Sequence, residues 1–372
     1  MIASKLLKTE VTRHVSLGAH VLDKLGEVAD ELQLGTKGLI LVGPMTGDND
    51  PVELANEVMS YLAPERQVTV IHLSGEDGWV DLEPVVARVK ELAPEFVVAL
   101  GEGEGVDRTK YVVQQVGDPL LEWVSIPTAP THDGFASPFI FLDLGGSGEE
   151  YYGLARPPIA ILADSALVAR SSTRTIRSGL GDLLSKYTAV WDWKLASRLR
   201  GEPISDFAAL VADELVELQA SNLTGSSINP HNPESVSVVL KGLIISGFLG
   251  SFSSSLRSIY GSEHMFADAL DHIAPGKTLH GERVALGTVM MASLQGQDWR
   301  KIRGHLKAAG VPVTAKELGL RSSTIVKALL SAVNYPRDQH FYTILGEQGL
   351  SEDAAFRLMY RTGIIGSRPG IG

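Results

Sequence analysis

The sequence predicts an α/β domain followed by an all-helical one, and three observations carry that prediction. Short apolar runs alternate with helical patterns through the first part of the chain, the pattern changes after Asp164, and nearly every later segment has helical periodicity. A chain of 372 residues, 44% of them hydrophobic, suits a globular protein of about two domains. The expected domains are residues 1–160 and 161–372.

Taken in order, the candidate strands are GLILV (38–42), VTVIHL (68–73), FVVAL (96–100), EWVSIPT (122–128), PFIFLDL (138–144) and PIAILAD (158–164). Between them, PVELANEVMSYLA and DLEPVVARVKELA repeat apolar residues at helical spacing, so the strands belong to βαβ units and a mainly parallel sheet. GGSGEEYYGLARPP (145–158) reads as a loop near the boundary. Beyond it TRTIRSGLGDLLSKYTAVWDWKLASRL, DFAALVADELVELQAS, PESVSVVLKGLIISGFLG, EHMFADALDHIA and GERVALGTVMMASLQ all read as helices. No internal repeat is visible, and an active site is expected in the cleft between two such domains.

Composition excludes several classes. With no cysteine, a metal must be held by His, Asp or Glu. A net charge of −11 argues against a nucleic-acid partner. The opening MIASKLLKTEVTRHVSLG carries charge in every turn, unlike a signal peptide, and no run reaches the ~18 apolar residues of a membrane span. The expectation is a cytoplasmic protein with no membrane span.

Three of the ten histidines fall within GSEHMFADALDHIAPGKTLHGERVALG (261–287). Pro275 and Gly276 divide this stretch, placing His264 and His272 on one helix and His280 at the entry to the next. A catalytic divalent site commonly has three protein ligands, and a carboxylate is the best third. Asp182, after a Gly-x-Gly and before an apolar run, is that candidate, although the same position is where an ordinary helix N-cap aspartate stands. A single helical histidine also reads as a core or surface residue, so spacing admits both alternatives.

The glycines of VVALGEGEGVDRTKYV (97–112) follow a strand and precede a helix, an arrangement that lets backbone amides approach a diphosphate, or that simply makes a turn. SIPTAPTHDGFASP (125–138) places Thr, His, Asp and Ser in a loop at the carboxyl end of the sheet, where ligands gather in open α/β folds.

Together with PIAILAD, SGLGDLLSKYTAVWDWKLA, LHGERVALGT, GVPVTAKELGL and YTILGEQGLSEDAAFRLMYRTGII, these stretches resemble the sn-glycerol-1-phosphate dehydrogenase family over nearly the whole chain. Its superfamily includes glycerol dehydrogenase, iron-dependent alcohol dehydrogenases and dehydroquinate synthase. The resemblance implies a Rossmann-like dinucleotide-binding domain ahead of a helical metal-binding domain. It implies Asp182, His264 and His280 as ligands of zinc, with nickel or iron in relatives, and leaves His272 to packing or support. Implied contacts of NAD(H) or NADP(H) are Gly101, Gly103, Asp107, Lys110, Thr128 and Ser137, with Asp133 at the substrate. Lys186, one helical turn from Asp182, is a candidate for the substrate phosphate or for a surface salt link.

The implied reaction is reversible reduction of dihydroxyacetone phosphate to sn-glycerol 1-phosphate, with proton delivery through a metal-bound water, His132 or Asp133. A homo-oligomer is implied as well. One departure stands out: Glu102 lies between Gly101 and Gly103 where the family has a third glycine, bringing a carboxylate to the diphosphate turn. The alternatives are an enzyme of this fold acting on another phosphorylated or phosphonate substrate, including a cyclase, and a non-catalytic homologue with impaired cofactor binding.

Overall fold

The computed structural model describes residues 10–73, 81–143, 150–225, 229–253, 255–335 and 340–366. The chain divides into two compact units that are not consecutive in sequence: residues 1–129, 134–172 and 232–256 form one, and 130–133, 173–231 and 257–372 the other.

The first unit contains strands β1 (His14–Gly18), β2 (Lys37–Val42), β3 (Gln67–His72), β4 (Phe96–Gly101), β5 (Glu122–Pro127), β6 (Phe139–Asp143), β7 (Glu150–Leu154) and β8 (Ala160–Asp164). Its helices are α1 (Leu25–Glu31), α2 (Pro51–Leu62), α3 (Leu82–Leu92), α4 (Gly103–Val116) and the short α5 (Ser165–Val168). Six strands make one parallel sheet in the order β1-β8-β5-β4-β2-β3. Every residue of β4 is buried, as expected of a central parallel strand covered on both faces. Ile40, Val42, Phe96, Val98, Val124 and Leu162 carry the core on the face that also meets Leu25, Val58 and Leu62.

The helix starts are written locally. Asp50 accepts hydrogen bonds from the amides of Val52 and Glu53, and Pro51 occupies the first turn of α2. At the end of β8, Asp164 accepts from Ala166 and Leu167 and also from His20 and Leu22, so one buried carboxylate caps α5 and fixes the turn after β1.

Several expectations change here. β1 had no place among the expected strands and is an edge strand beside β8. PFIFLDL does not join the main sheet: β6 pairs antiparallel with β7. The stretch expected as a loop therefore includes a strand, while its residues 145–149 lie outside the described residues.

The later helices are α6 (Thr173–Arg200), α7 (Asp206–Gly225), α8 (Pro233–Ser253), α9 (Ser262–Ile273), α10 (His280–Leu294), α11 (Trp299–Ala308), α12 (Ser322–Ser331) and α13 (Glu352–Arg361). α8 belongs to the first unit, where a Cβ on Gly247 would stand 2.6 Å from the carbonyl carbon of Ala136 and one on Gly250 2.5 Å from the Phe139 ring. Among the described residues it alone is long and apolar enough to cross a membrane, with a mean hydropathy of 1.7. Val239, Leu240 and Leu243 are fully buried, which makes its apolarity core-forming.

In the second unit α10 packs against both α6 and α9. Glycines set these crossings: a Cβ on Gly181 would meet Gly281 O at 2.2 Å, one on Gly281 would meet Ser178 O at 1.8 Å, and one on Gly287 would meet Glu263 O at 2.7 Å. Only residues without side chains permit such close approach.

Candidate metal centre

The three helices that meet at those glycines bring one carboxylate and two imidazoles together. Asp182 projects from α6, His264 from the first turn of α9, and His280 is the first residue of α10. Asp182 is therefore helix-interior; the Gly-x-Gly before it serves helix crossing, and the N-cap alternative falls away. The start of α10 is fixed because Glu282 reaches back to the Leu279 amide at 2.9 Å while also pairing with Arg174.

Asp182 Oδ1 lies 3.5 Å from His264 Nε2 and 3.9 Å from His280 Nε2. One donor atom from each residue falls within 4.8 Å of the others. Two ligands about 2.1 Å from a common tetrahedral ion stand roughly 3.4 Å apart, so both the donor set and its spacing fit a divalent cation. His272 is exposed on α9 with its ring 6.2 Å from that of Tyr335, away from the cluster and from any core packing role.

Around these atoms the charges are balanced. Lys186 Nζ donates to Asp182 Oδ1 at 2.9 Å and pairs with Asp133 Oδ2 at 3.3 Å, and the Asp133 amide donates to Asp182 Oδ2 at 3.1 Å. Burial favours the neutral form of Asp182, yet Lys186, His264 and His280 outweigh it and hold the carboxyl well below the usual range. Burial likewise depresses the Lys186 ammonium, but Asp133 and Asp182 bring it above its ordinary value. Lys186, a candidate for the substrate phosphate or for a surface salt link, is fully buried between Asp133 and Asp182, so the surface link falls away; its i,i+4 spacing carries Nζ inward to Asp182.

The two imidazoles differ. Burial lowers His264, but hydrogen bonds to Asp182 and Glu263 overcome it and lift the pKa to about 9. His280 is pushed well below 6.5 by burial and by His132 and His264. The His132 ring is 5.2 Å from that of His280, and Tyr260 stacks on His264 at 5.1 Å.

In the first unit the glycine turn after β4 also has a definite geometry. A Cβ on Gly105 would lie 2.7 Å from Gly43 Cα, and one on Gly101 would lie 3.1 Å from the same atom. Glu102 precedes α4 without bonding the helix amides through its side chain, leaving first-turn N–H groups without intrahelical partners. Burial pushes the Glu102 carboxyl upward against the pull of Thr46. The Thr128 amide donates to Gly101 O at 3.0 Å, while its buried hydroxyl has no partner among the described residues. Such a hydroxyl, following the end of β5 that pairs with the end of β4, fits a dinucleotide.

Asp107 and Lys110 lie further along α4. Lys110 Nζ reaches Asp107 Oδ1 at 2.5 Å and donates to the carbonyls of Gly134, Ser137 and Phe139 at 2.7, 3.2 and 2.5 Å. Asp107 Oδ2 accepts the Phe141 amide at 3.4 Å. Both groups, expected at the cofactor, are thus occupied in fastening residues 134–141 to α4; Ser137 takes part through its carbonyl and is buried.

The sequence reading missed Glu263 and Ser178. Glu263 bonds His264 Nδ1 at 2.8 Å, although neighbours in a helix ordinarily point apart; the N-terminal turn permits it. Ser178 Oγ donates to Thr131 O and accepts the Gly281 amide, each at 3.0 Å.

Comparison with known proteins matches residues 16–171 to a family described as iron-containing alcohol dehydrogenase. A glycerol-1-phosphate dehydrogenase [NAD(P)+] of Hyperthermus butylicus is 45% identical, over 97% of this chain and 100% of its own. One from Staphylothermus marinus is 38% identical over 94% and 96% of the two chains. Among solved structures, a probable glycerol dehydrogenase from Sinorhizobium meliloti superposes with a TM-score of 0.75 at 20% identity, covering 96% of this chain and 99% of that one. Glycerol dehydrogenase from Schizosaccharomyces pombe gives 0.72 at 18% identity, over 97% and 94% of the chains, and these two likenesses concern the fold.

Proposed function

The chain belongs to the glycerol-1-phosphate dehydrogenase family, and from that premise we infer that it is an NAD(P)H-dependent, metal-dependent oxidoreductase reducing dihydroxyacetone phosphate reversibly to sn-glycerol 1-phosphate. The observation that carries this reading is the convergence of Asp182, His264 and His280 from three helices onto one point.

A divalent ion held there supplies Lewis acidity toward the substrate oxygen, and reduced nicotinamide supplies hydride. The chain's own residues do the rest. Asp182 and the two imidazoles bind the cation, with Asp182 kept ionised by the adjacent Lys186 ammonium. Lys186 also offsets Asp133, so two carboxylates remain close without mutual repulsion. We assign Asp133 to the substrate hydroxyl and His132, whose ring adjoins that of His280, to the proton that completes the alcohol. Gly101 and Gly103 leave the first-turn amides of α4 open to the diphosphate, and Thr128 offers its hydroxyl on the same strand-end edge. Asp107, Lys110 and Ser137 support that domain by securing the 134–141 segment.

We further propose a cytoplasmic location, where the nicotinamide pool is available, and a homo-oligomer, for which Phe207 and Leu210 on α7, 60% and 59% exposed, are the candidate apolar contact.

The test is nicotinamide absorbance with zinc-loaded protein, NADH or NADPH and dihydroxyacetone phosphate, with stereochemical analysis of the product. Oxidation yielding sn-glycerol 1-phosphate, abolished in Asp182→Ala, is the expected result. Formation of the 3-phosphate enantiomer, or oxidation unaffected by the substitution, contradicts the reading.

A further inference from the structure

Beyond the three candidate ligands, one buried acidic group touches the set directly. Glu263 is 0% exposed, and each of its carboxylate oxygens has a defined partner. Oε1 accepts the Gly261 amide at 2.8 Å and lies 2.8 Å from His264 Nδ1; Oε2 accepts the Thr188 hydroxyl at 2.7 Å. Thr188 belongs to α6 and Gly261 to the N-terminus of α9, so the carboxylate is fixed from two elements and cannot swing away.

This geometry decides the tautomer of the histidine. A carboxylate only accepts hydrogen bonds, so Nδ1 must carry a proton, and in the neutral ring that a metal requires the lone pair is then on Nε2. Nε2 is the nitrogen that faces Asp182 Oδ1 at 3.5 Å. Tyr260, stacked at 5.1 Å with an interplanar angle of 28°, limits rotation of the same ring.

We propose that Glu263 is the positioning residue of the metal centre, fixing His264 as the Nδ1–H tautomer so that Nε2 is presented to the cation. A ligand imidazole held this way is preoriented and more basic, and loss of such a partner typically weakens metal binding by about 10- to 100-fold. The inference rests on the metal-site reading above. Among the described residues His280 has no buried carboxylate partner of this kind, whereas the orientation of His264 is set from outside the ligand set.

Asp192 provides the comparison. Its Oδ2 accepts both the amide and the hydroxyl of Ser262 and its Oδ1 accepts the Ile344 amide, so it secures the start of α9 without bonding His264.

The experiment is zinc titration of the metal-free full-length protein against a chromophoric chelator, with thermal unfolding of each variant. It is accompanied by ¹⁵N NMR of histidine-labelled wild-type protein, metal-free and zinc-loaded. Glu263→Gln, close in shape, is expected to bind zinc about tenfold or more weakly. Asp192→Asn should lose thermal stability while keeping its zinc affinity, and in wild type the His264 Nδ1 should be protonated in both states. Wild-type affinity in Glu263→Gln, an equal loss in Asp192→Asn, or zinc on Nδ1 overturns the proposal while leaving the metal centre standing. If Asp182→Ala binds zinc as well as wild type does, the metal-site reading fails and takes the proposal with it. If Glu263→Gln does not fold, zinc found on Nδ1 in the NMR measurement still overturns the proposal.

Discussion

Gly281 meets Ser178 so closely that a Cβ on the glycine would stand 1.8 Å from the serine carbonyl oxygen. The same pair is tied by a hydrogen bond from the Gly281 amide to Ser178 Oγ at 3.0 Å. Since Gly281 adjoins His280 and Ser178 lies one turn before Asp182, this crossing of α6 and α10 sets the separation of two candidate ligands.

Gly281→Ala should therefore push the helices apart. We expect a loss of about 1–3 kcal/mol in stability from overpacking, together with weaker zinc binding. Gly304→Ala in α11, where a new Cβ meets nothing within 4 Å, should leave zinc binding unchanged and stabilise slightly through helix propensity. Thermal unfolding and chelator competition on the two variants check this; equal zinc affinity in Gly281→Ala and wild type contradicts it.

Lys110→Met should destabilise the first unit. The substitution leaves Asp107 buried without its cation and three carbonyls without their donor, a change worth about 3–5 kcal/mol. Combining it with Asp107→Asn should recover part of the loss, because the uncompensated charge is then removed. Denaturant unfolding of the single and double variants is the measurement, and a double variant less stable than Lys110→Met would contradict the pairing.

Zinc affinity should rise with pH. Burial opposes protonation of His264, but Asp182 and Glu263 prevail over it and over Lys186, giving a pKa of about 9 against an ordinary 6.5. The raised value means that protonation stabilises the metal-free fold fully below about 6.5, and that this contribution is lost as pH rises through 9. Zinc needs the neutral imidazole, so its apparent affinity should climb by up to about tenfold per pH unit from neutrality and level off above the His264 pKa. His280, held well below 6.5, should release no proton in that range. Calorimetric titration in buffers of different ionisation enthalpy counts the protons; zinc binding near neutral pH with no proton release excludes the assignment.

Glu102 makes a prediction about the cofactor. Burial raises its carboxyl, and an ionised form would place like charge at the diphosphate turn. In wild type NADH affinity should increase as pH falls and Glu102 protonates, whereas Glu102→Gln should bind more tightly with little dependence on pH. Nucleotide fluorescence titration tests both. A variant whose affinity and pH profile match wild type would show that the side chain is turned away from the nucleotide.

By itself the sequence determined the alternation of strand and helix, the burial of β2, β4 and β8, and the residue types able to hold a cation without cysteine. Apolar runs and helical spacing report which residues leave water, and those signals are local. They do not report the partner. PFIFLDL looks like a sheet strand but pairs with β7, and α8 has the pattern of the later helices yet packs in the first unit, because strand pairing and helix docking depend on surfaces distant in the chain. The ligand residues could be named from motifs, but their convergence was decided by glycine contacts between α6, α9 and α10. Tertiary structure likewise turned Lys186 inward between Asp133 and Asp182 and drew Lys110 to carbonyls as far along the chain as Phe139. It set Glu263 against its own neighbour at the start of α9. A buried charge must find its counter-charge or hydrogen-bond partners wherever the fold brings them, and sequence spacing does not encode that distance.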